Sequence, residues 1–214
     1  MKRTEVADHL QTVGVIAILR KIPPDDIMPV TDALVAGGIK AVEVTMESIG
    51  AQTAIEQIRE RYEDHLMVGA GTVMSVQSVD TALAAGAQFL LSPHLDTQVM
   101  GYAAEKGVLM IPGVLTPTEI AAAQRAGAII MKVFPAGSVG ISYLKDLLGP
   151  FSGSHFLPTG GVTPDNAADF IKAGAIGVGM GSSLIAKNEV LSGNWDAIAH
   201  RVRHVLENIT HAKL

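Results

Sequence analysis

Ile129-Ile130-Met131-Lys132-Val133-Phe134-Pro135-Ala136 reads as a short strand, apolar on both faces, with one lysine near its C-terminal end. A strand covered on both sides is written as such a continuous apolar run, whereas a half-solvated strand alternates. Directly before it stands Ala126-Gly127-Ala128, the mark of a helix closed by a left-handed glycine. The same mark recurs at Ala36-Gly37-Gly38, Ala85-Gly86-Ala87, Lys106-Gly107 and Ala173-Gly174-Ala175, each time followed by a β-rich run. All such runs together predict eight strands, near residues 13–19, 40–45, 67–71, 88–92, 108–112, 129–134, 155–158 and 176–180. Amphipathic stretches separate them at βα spacing. Thr116-Pro117-Thr118-Glu119 and Thr163-Pro164-Asp165 place a capping hydroxyl before a proline at the first helical position.

Eight βα units without a linker predict one α/β domain over residues 1–214, a (β/α)8 barrel with an extra N-terminal helix near residues 2–11. The competing architecture is an open doubly wound sheet, which often has a glycine-rich turn after its first strand. Here that strand ends Ala17-Ile18-Leu19-Arg20-Lys21, without glycine, which favours the barrel.

Composition narrows the function. The chain has 214 residues and no cysteine, which excludes disulfide and thiolate chemistry. A net charge of −5 and an aromatic content of 4% argue against a nucleic-acid partner. The apolar runs are too short and too interrupted to span a membrane, and no signal peptide is legible, so a cytoplasmic protein is expected. His200, His204 and His211 read as a solvated helix face, and no metal site or other cofactor is expected.

A barrel carries its chemistry at the C-terminal strand ends. Strand alternation puts Glu43 with Thr45 on one face, and Lys132 with Ile130 and Phe134 on another. If both faces point inward, an acid and an amine share the mouth. A buried ion pair is the plain explanation, but its desolvation offsets much of its attraction, so chemistry explains it better. A desolvated lysine is a nucleophile suited to a ketone; the plain alternative is a lysine that snorkels to water. Gly160, Gly161 and Ser182, after the last two strands, fit a phosphate cradle, with Ser182 opening a short helix near 183–187. Their plain reading is tight turns. His94, after the fourth strand, is a weaker mouth residue.

Six segments in order resemble the class I aldolases that act on 2-keto-3-deoxy-6-phosphogluconate (KDPG) and on 4-hydroxy-2-oxoglutarate (KHG). They are Val42-Glu43-Val44-Thr45, Val68-Gly69-Ala70-Gly71-Thr72, Ser92-Pro93, Ile111-Pro112-Gly113, Lys132-Val133-Phe134-Pro135-Ala136 and Pro158-Thr159-Gly160-Gly161-Val162. The resemblance implies a Schiff-base lysine at Lys132 and a general acid/base at Glu43. Thr72 would hold the pyruvate end, and Pro93 and Phe134 would wall the pocket. Gly160, Gly161 and Ser182 would bind phosphate, assisted by Arg20. It also implies a homotrimer, and reversible cleavage of a keto acid to pyruvate and an aldehyde, glyceraldehyde 3-phosphate or glyoxylate. Many members carry an arginine two residues after the threonine of Glu-Val-Thr, for the substrate carboxylate; this chain has Glu47. Arg20, backbone N–H groups or Thr72 would then take over that carboxylate, or the preferred substrate differs. The other readings are a barrel isomerase or epimerase acting on a phosphorylated sugar, and a sugar-phosphate-binding barrel without chemistry.

Overall fold

The computed structural model describes residues 1–213. Helix α1 (Arg3–Val13) precedes β1 (Val15–Leu19), and a 3-10 turn at Pro24–Asp26 leads into α2 (Ile27–Gly37). Strict alternation follows through β2 (Ala41–Thr45), α3 (Ala51–Tyr62), β3 (Met67–Gly71), α4 (Val76–Ala84), β4 (Phe89–Leu91), α5 (Thr97–Glu105) and β5 (Leu109–Ile111). After β6 (Gly113–Val114) come α6 (Pro117–Arg125), β7 (Ile130–Val133), α7 (Ala136–Leu148), β8 (His155–Pro158) and α8 (Ala167–Lys172). The chain ends with β9 (Val178–Met180), α9 (Lys187–Ser192) and α10 (Trp195–Ala212).

The strands pair in parallel as two curled sheets, ordered β5-β4-β3-β2-β1-β9 and β6-β7-β8. The expected fifth strand is therefore split. Pro112 has no N–H to give the ladder, although its carbonyl still accepts from Lys132 N–H at 2.9 Å. At the other flank, Thr159 bridges Gly179, and Ile176 N–H donates to Phe156 O at 3.1 Å.

The punctuating glycines Gly38, Gly86, Gly107, Gly127 and Gly174 all have positive φ, between 74° and 106°. Two helix starts behave differently from each other. Thr116 forms the expected capping box: its Oγ1 accepts from Glu119 N–H, and Glu119 Oε2 accepts from Thr116 N–H at 2.7 Å. Thr163 caps nothing; α8 starts at Ala167, and Asn166 Oδ1 turns back to accept from Thr163 N–H at 2.8 Å. Asn166 stands where it satisfies the turn, so the helix begins later than the proline suggested.

Strand alternation sorts the apolar side chains into two layers. Val42, Val44, Val68, Ala70, Leu90, Met110, Met131, Val133 and Phe156 pack against the helices. Ile16, Ala41, Met67, Phe89, Leu91, Leu109, Ile111, Ile130 and Leu157 meet on the concave face, where Val6, Ala7 and Leu10 of α1 join them. Each fully buried side chain of this kind contributes roughly 1.5–3 kcal/mol. On β1, β2, β3 and β7 this inner layer fills the N-terminal part of the strand. Glu43 and Lys132 follow Ala41 and Ile130 by two residues, so they share the same face one step nearer the C-terminal end. Among the described residues, no helix is long and apolar enough to cross a membrane.

Candidate active site

A cavity of about 910 Å³ opens at the C-terminal ends of the strands. Arg20, Glu43, Thr72, Pro93, Lys132, Phe134, Gly160, Gly161 and Ser182 all line it, as do Ile18, Thr45 and Thr159. Glu43 is 1% exposed and Lys132 6% exposed, so both charges lie out of solvent. Glu43 fits because Gly71 leaves space: a Cβ there would lie 2.9 Å from the Glu43 Cδ and 3.0 Å from each carboxyl oxygen. Burial raises the Glu43 carboxyl above its ordinary value; Lys132 and Arg20 pull it down, and Glu47 pushes it up. Glu43 Oε2 is buried with no hydrogen-bond partner among the described residues.

Lys132 is held by its backbone, in register with Gly113 and Leu157. Its Nζ lies 5.2 Å from the centroid of the Phe134 ring. That ring rests against Gly160, where a Cβ would lie 2.8 Å from it. Gly160 and Gly161 both take positive φ, 80° and 77°. Their carbonyls are occupied, accepting from Gly137 N–H at 2.7 Å and from the Asn166 amide at 3.1 Å. Ser183 Oγ donates to Val162 O at 2.6 Å and ties the loops after β8 and β9 together. Thr72 has a φ of 59°, rare for a β-branched residue and typical of backbone held in place at a site.

A family model of KDPG and KHG aldolases matches residues 6–201. The chain belongs to the KDPG and KHG aldolase family. It is an aldolase, a carbon–carbon lyase. The 2-dehydro-3-deoxy-phosphogluconate aldolase of Pseudomonas aeruginosa is 37% identical over 183 residues, 85% of this chain and 83% of the relative. The 2-dehydro-3-deoxy-6-phosphogalactonate aldolase of Escherichia coli is 37% identical over 170 residues, 79% and 83% of the two chains. A KDPG aldolase structure from Legionella pneumophila, holding pyruvate as a covalent carbinolamine intermediate, superposes with a TM-score of 0.86 at 30% identity, covering 92% of this chain and 95% of that one.

Two features of this aldolase depart from the sequence reading. Ser182 does not open a helix: Leu184 and Ile185 N–H both donate to Gly181 O in a turn, and α9 begins only at Lys187. His94 bonds to Ser92, its Nδ1 3.2 Å from Ser92 Oγ, and is not part of the cavity wall. Arg20 lines the cavity as expected and also forms an ion pair with Glu47, whose Oε1 lies 2.9 Å from its Nε. Lys21 and Lys187 also border the cavity and were missed. Lys21 directly follows the end of β1 and was legible as a mouth residue; Lys187 arrives through a loop and had no local signal. Among the described residues, no group of three or more His, Cys, Asp or Glu is placed to hold a metal.

Proposed function

We propose that the aldolase cleaves a 2-keto-4-hydroxy acid through an imine on Lys132, with Glu43 as acid and base. The observation that carries this reading is the pairing of two almost fully buried groups, an amine and a carboxyl of raised pKa, on one cavity wall. Neutral Lys132 Nζ attacks the C2 ketone. Glu43 protonates the departing oxygen as the carbinolamine loses water and becomes an iminium. Glu43, now a carboxylate, takes the C4 hydroxyl proton. The C3–C4 bond breaks, its electron pair moves to the iminium nitrogen, and the aldehyde leaves. The enamine is protonated at C3, and water hydrolyses the resulting iminium to pyruvate and free Lys132. A buried carboxyl oxygen without a protein partner suits a group whose partners arrive with substrate.

In this reading Thr72 holds the pyruvate end, while Pro93 and Phe134 close the pocket around the imine. Gly160, Gly161 and Ser182 take the distal phosphate. Relatives named for a gluconate and for a galactonate substrate match at the same 37% identity, so either C4 configuration suits the family. The scaffold is read as a single closed (β/α)8 barrel with α1 over its floor, supported by the ladder contacts at both sheet flanks. A homotrimer is the assembly proposed. Ile49 and Met74, 85% and 49% exposed on the neighbouring loops after β2 and β3, offer it apolar surface. Borohydride reduction in the presence of pyruvate, followed by peptide mass analysis, tests the chemistry. An adduct on Lys132, together with loss of turnover in a folded Lys132→Ala variant, is expected. Substantial turnover in that variant would sink the imine assignment.

A further inference from the structure

Arg20 stands at the cavity mouth with its side chain 59% exposed, yet the loop after β2 restrains it. Two consecutive residues of that loop reach the end of β1. Glu47 Oε1 forms an ion pair with Arg20, 2.9 Å from its Nε, and Ser48 Oγ accepts from Lys21 N–H at 2.9 Å. Ser48 Oγ is also 2.9 Å from Thr45 Oγ1, and Met46 N–H donates to Gly71 O at 2.9 Å, so the loop is anchored on β2 and β3. Lys21 takes a φ of 53°, a conformation that L residues adopt only where the surroundings impose it. The chain is thus turned directly after Arg20, and the guanidinium is tied from one side.

The tie sets both direction and free edge. It holds Arg20 against the loop after β2, on the side of the cavity that Thr45 and Thr72 line at the ends of β2 and β3. Glu47 approaches on the Nε side, and among the described residues no hydrogen bond engages the edge formed by the two terminal nitrogens. That edge matches a planar carboxylate in a bidentate fork. Stability does not account for the pair, because an ion pair this exposed contributes at most about 1 kcal/mol.

We propose that Glu47 is a positioning residue, and that Arg20, held by it, grips the C1 carboxylate of the keto acid rather than its phosphate. The proposal rests on the keto-acid reading of the site. Pyruvate tests it, since it carries the carboxylate and no phosphate. Enzyme-catalysed exchange of its methyl protons into deuterated water, followed by NMR, gives a KM for that end alone. Arg20→Gln is expected to raise this KM roughly tenfold or more, and Glu47→Gln about two- to fivefold. At saturating pyruvate, borohydride should still trap an adduct on Lys132 in both variants. A pyruvate KM within twofold of the parent in Arg20→Gln, with the loss confined to the KM for glyceraldehyde 3-phosphate in the synthetic direction, would assign Arg20 to phosphate and overturn the proposal. A weakened Arg20→Gln beside an unchanged Glu47→Gln would remove Glu47 from its role and overturn it as well. No adduct in the unsubstituted enzyme would bring down the imine reading itself, and this proposal with it.

Discussion

Gly71→Ala tests whether the position of one carboxyl group governs turnover. The added methyl would sit 2.9 Å from Glu43 Cδ and 3.0 Å from both oxygens, where ordinary contact begins near 3.4 Å. Glu43 is 1% exposed, so its carboxyl must shift by about half an ångström, against its neighbours or toward the cavity that it lines. Overpacking of this kind costs roughly 1–3 kcal/mol. For a chain of this size each kcal/mol lowers Tm by about 2–4 °C, so a fall of roughly 2–12 °C is expected. A catalytic group misplaced by 1 Å loses about a hundredfold in rate, so half that displacement should lower kcat roughly tenfold. Gly101→Ala is the control. It lies in α5 with nothing within 4 Å of the new methyl, and it should gain about 0.5–1 kcal/mol with no change in kcat. Melting curves and steady-state aldol cleavage measure both quantities on the same preparations. A Gly71→Ala enzyme that melts lower but turns over within twofold of the parent would refute the claim that the Glu43 position controls the reaction.

Three further outcomes are expected. Glu43→Gln should lower kcat by roughly 10²–10⁴. It should also change the pH dependence of stability, because burial raises the Glu43 carboxyl above 4.5 and the folded chain holds that proton more tightly than the unfolded one. That stabilising contribution is complete below pH 4.5 and is lost as pH rises through the raised value. Melting curves across this range should therefore show the Gln variant gaining on the parent as pH rises, and a constant difference would contradict the assignment. Gly161→Ala forces a methyl to 2.7 Å from Gly137 Cα at a φ of 77°, so the cradle must distort. The KM for phosphorylated substrate should rise roughly tenfold, with pyruvate proton exchange within twofold; equal loss in both would count against a phosphate role. Thr116→Ala removes the α6 cap and should cost about 1 kcal/mol, read as a Tm decrease of about 2–4 °C with activity intact.

Local free energy made much of this molecule legible from the chain alone. Helix-ending glycines, apolar runs and capping residues act within a few positions, so Gly127, Ile130–Val133 and the Thr116 cap were readable one after another. Glu43 and Lys132 stood out because each is the one charged residue of its strand. Strand ends were less clear. Residues 13–14, expected in the first strand, belong to the end and cap of α1, and residues 176–177 fall outside β9, because ladder pairing rather than residue type ends a strand. Pro112 interrupts its strand because it has no N–H to give the ladder.

What the chain alone left open was which faces and loops meet. The alternation put Glu43 on one of two faces without saying which faced the cavity; packing of Ala41 and Ile130 against α1 decided that. The Arg20–Glu47 and Lys21–Ser48 contacts join residues 27 positions apart. No pattern within β1 or β2 announces them, because they arise only when the two strands lie in register, Ile18 beside Glu43 and Leu19 beside Val44. The sequence by itself therefore determined the βα rhythm and the two unusual charges, since both are local departures in hydrophobicity. The tertiary structure decided how those charges are aimed, because aim depends on loops brought together by the pairing of neighbouring strands.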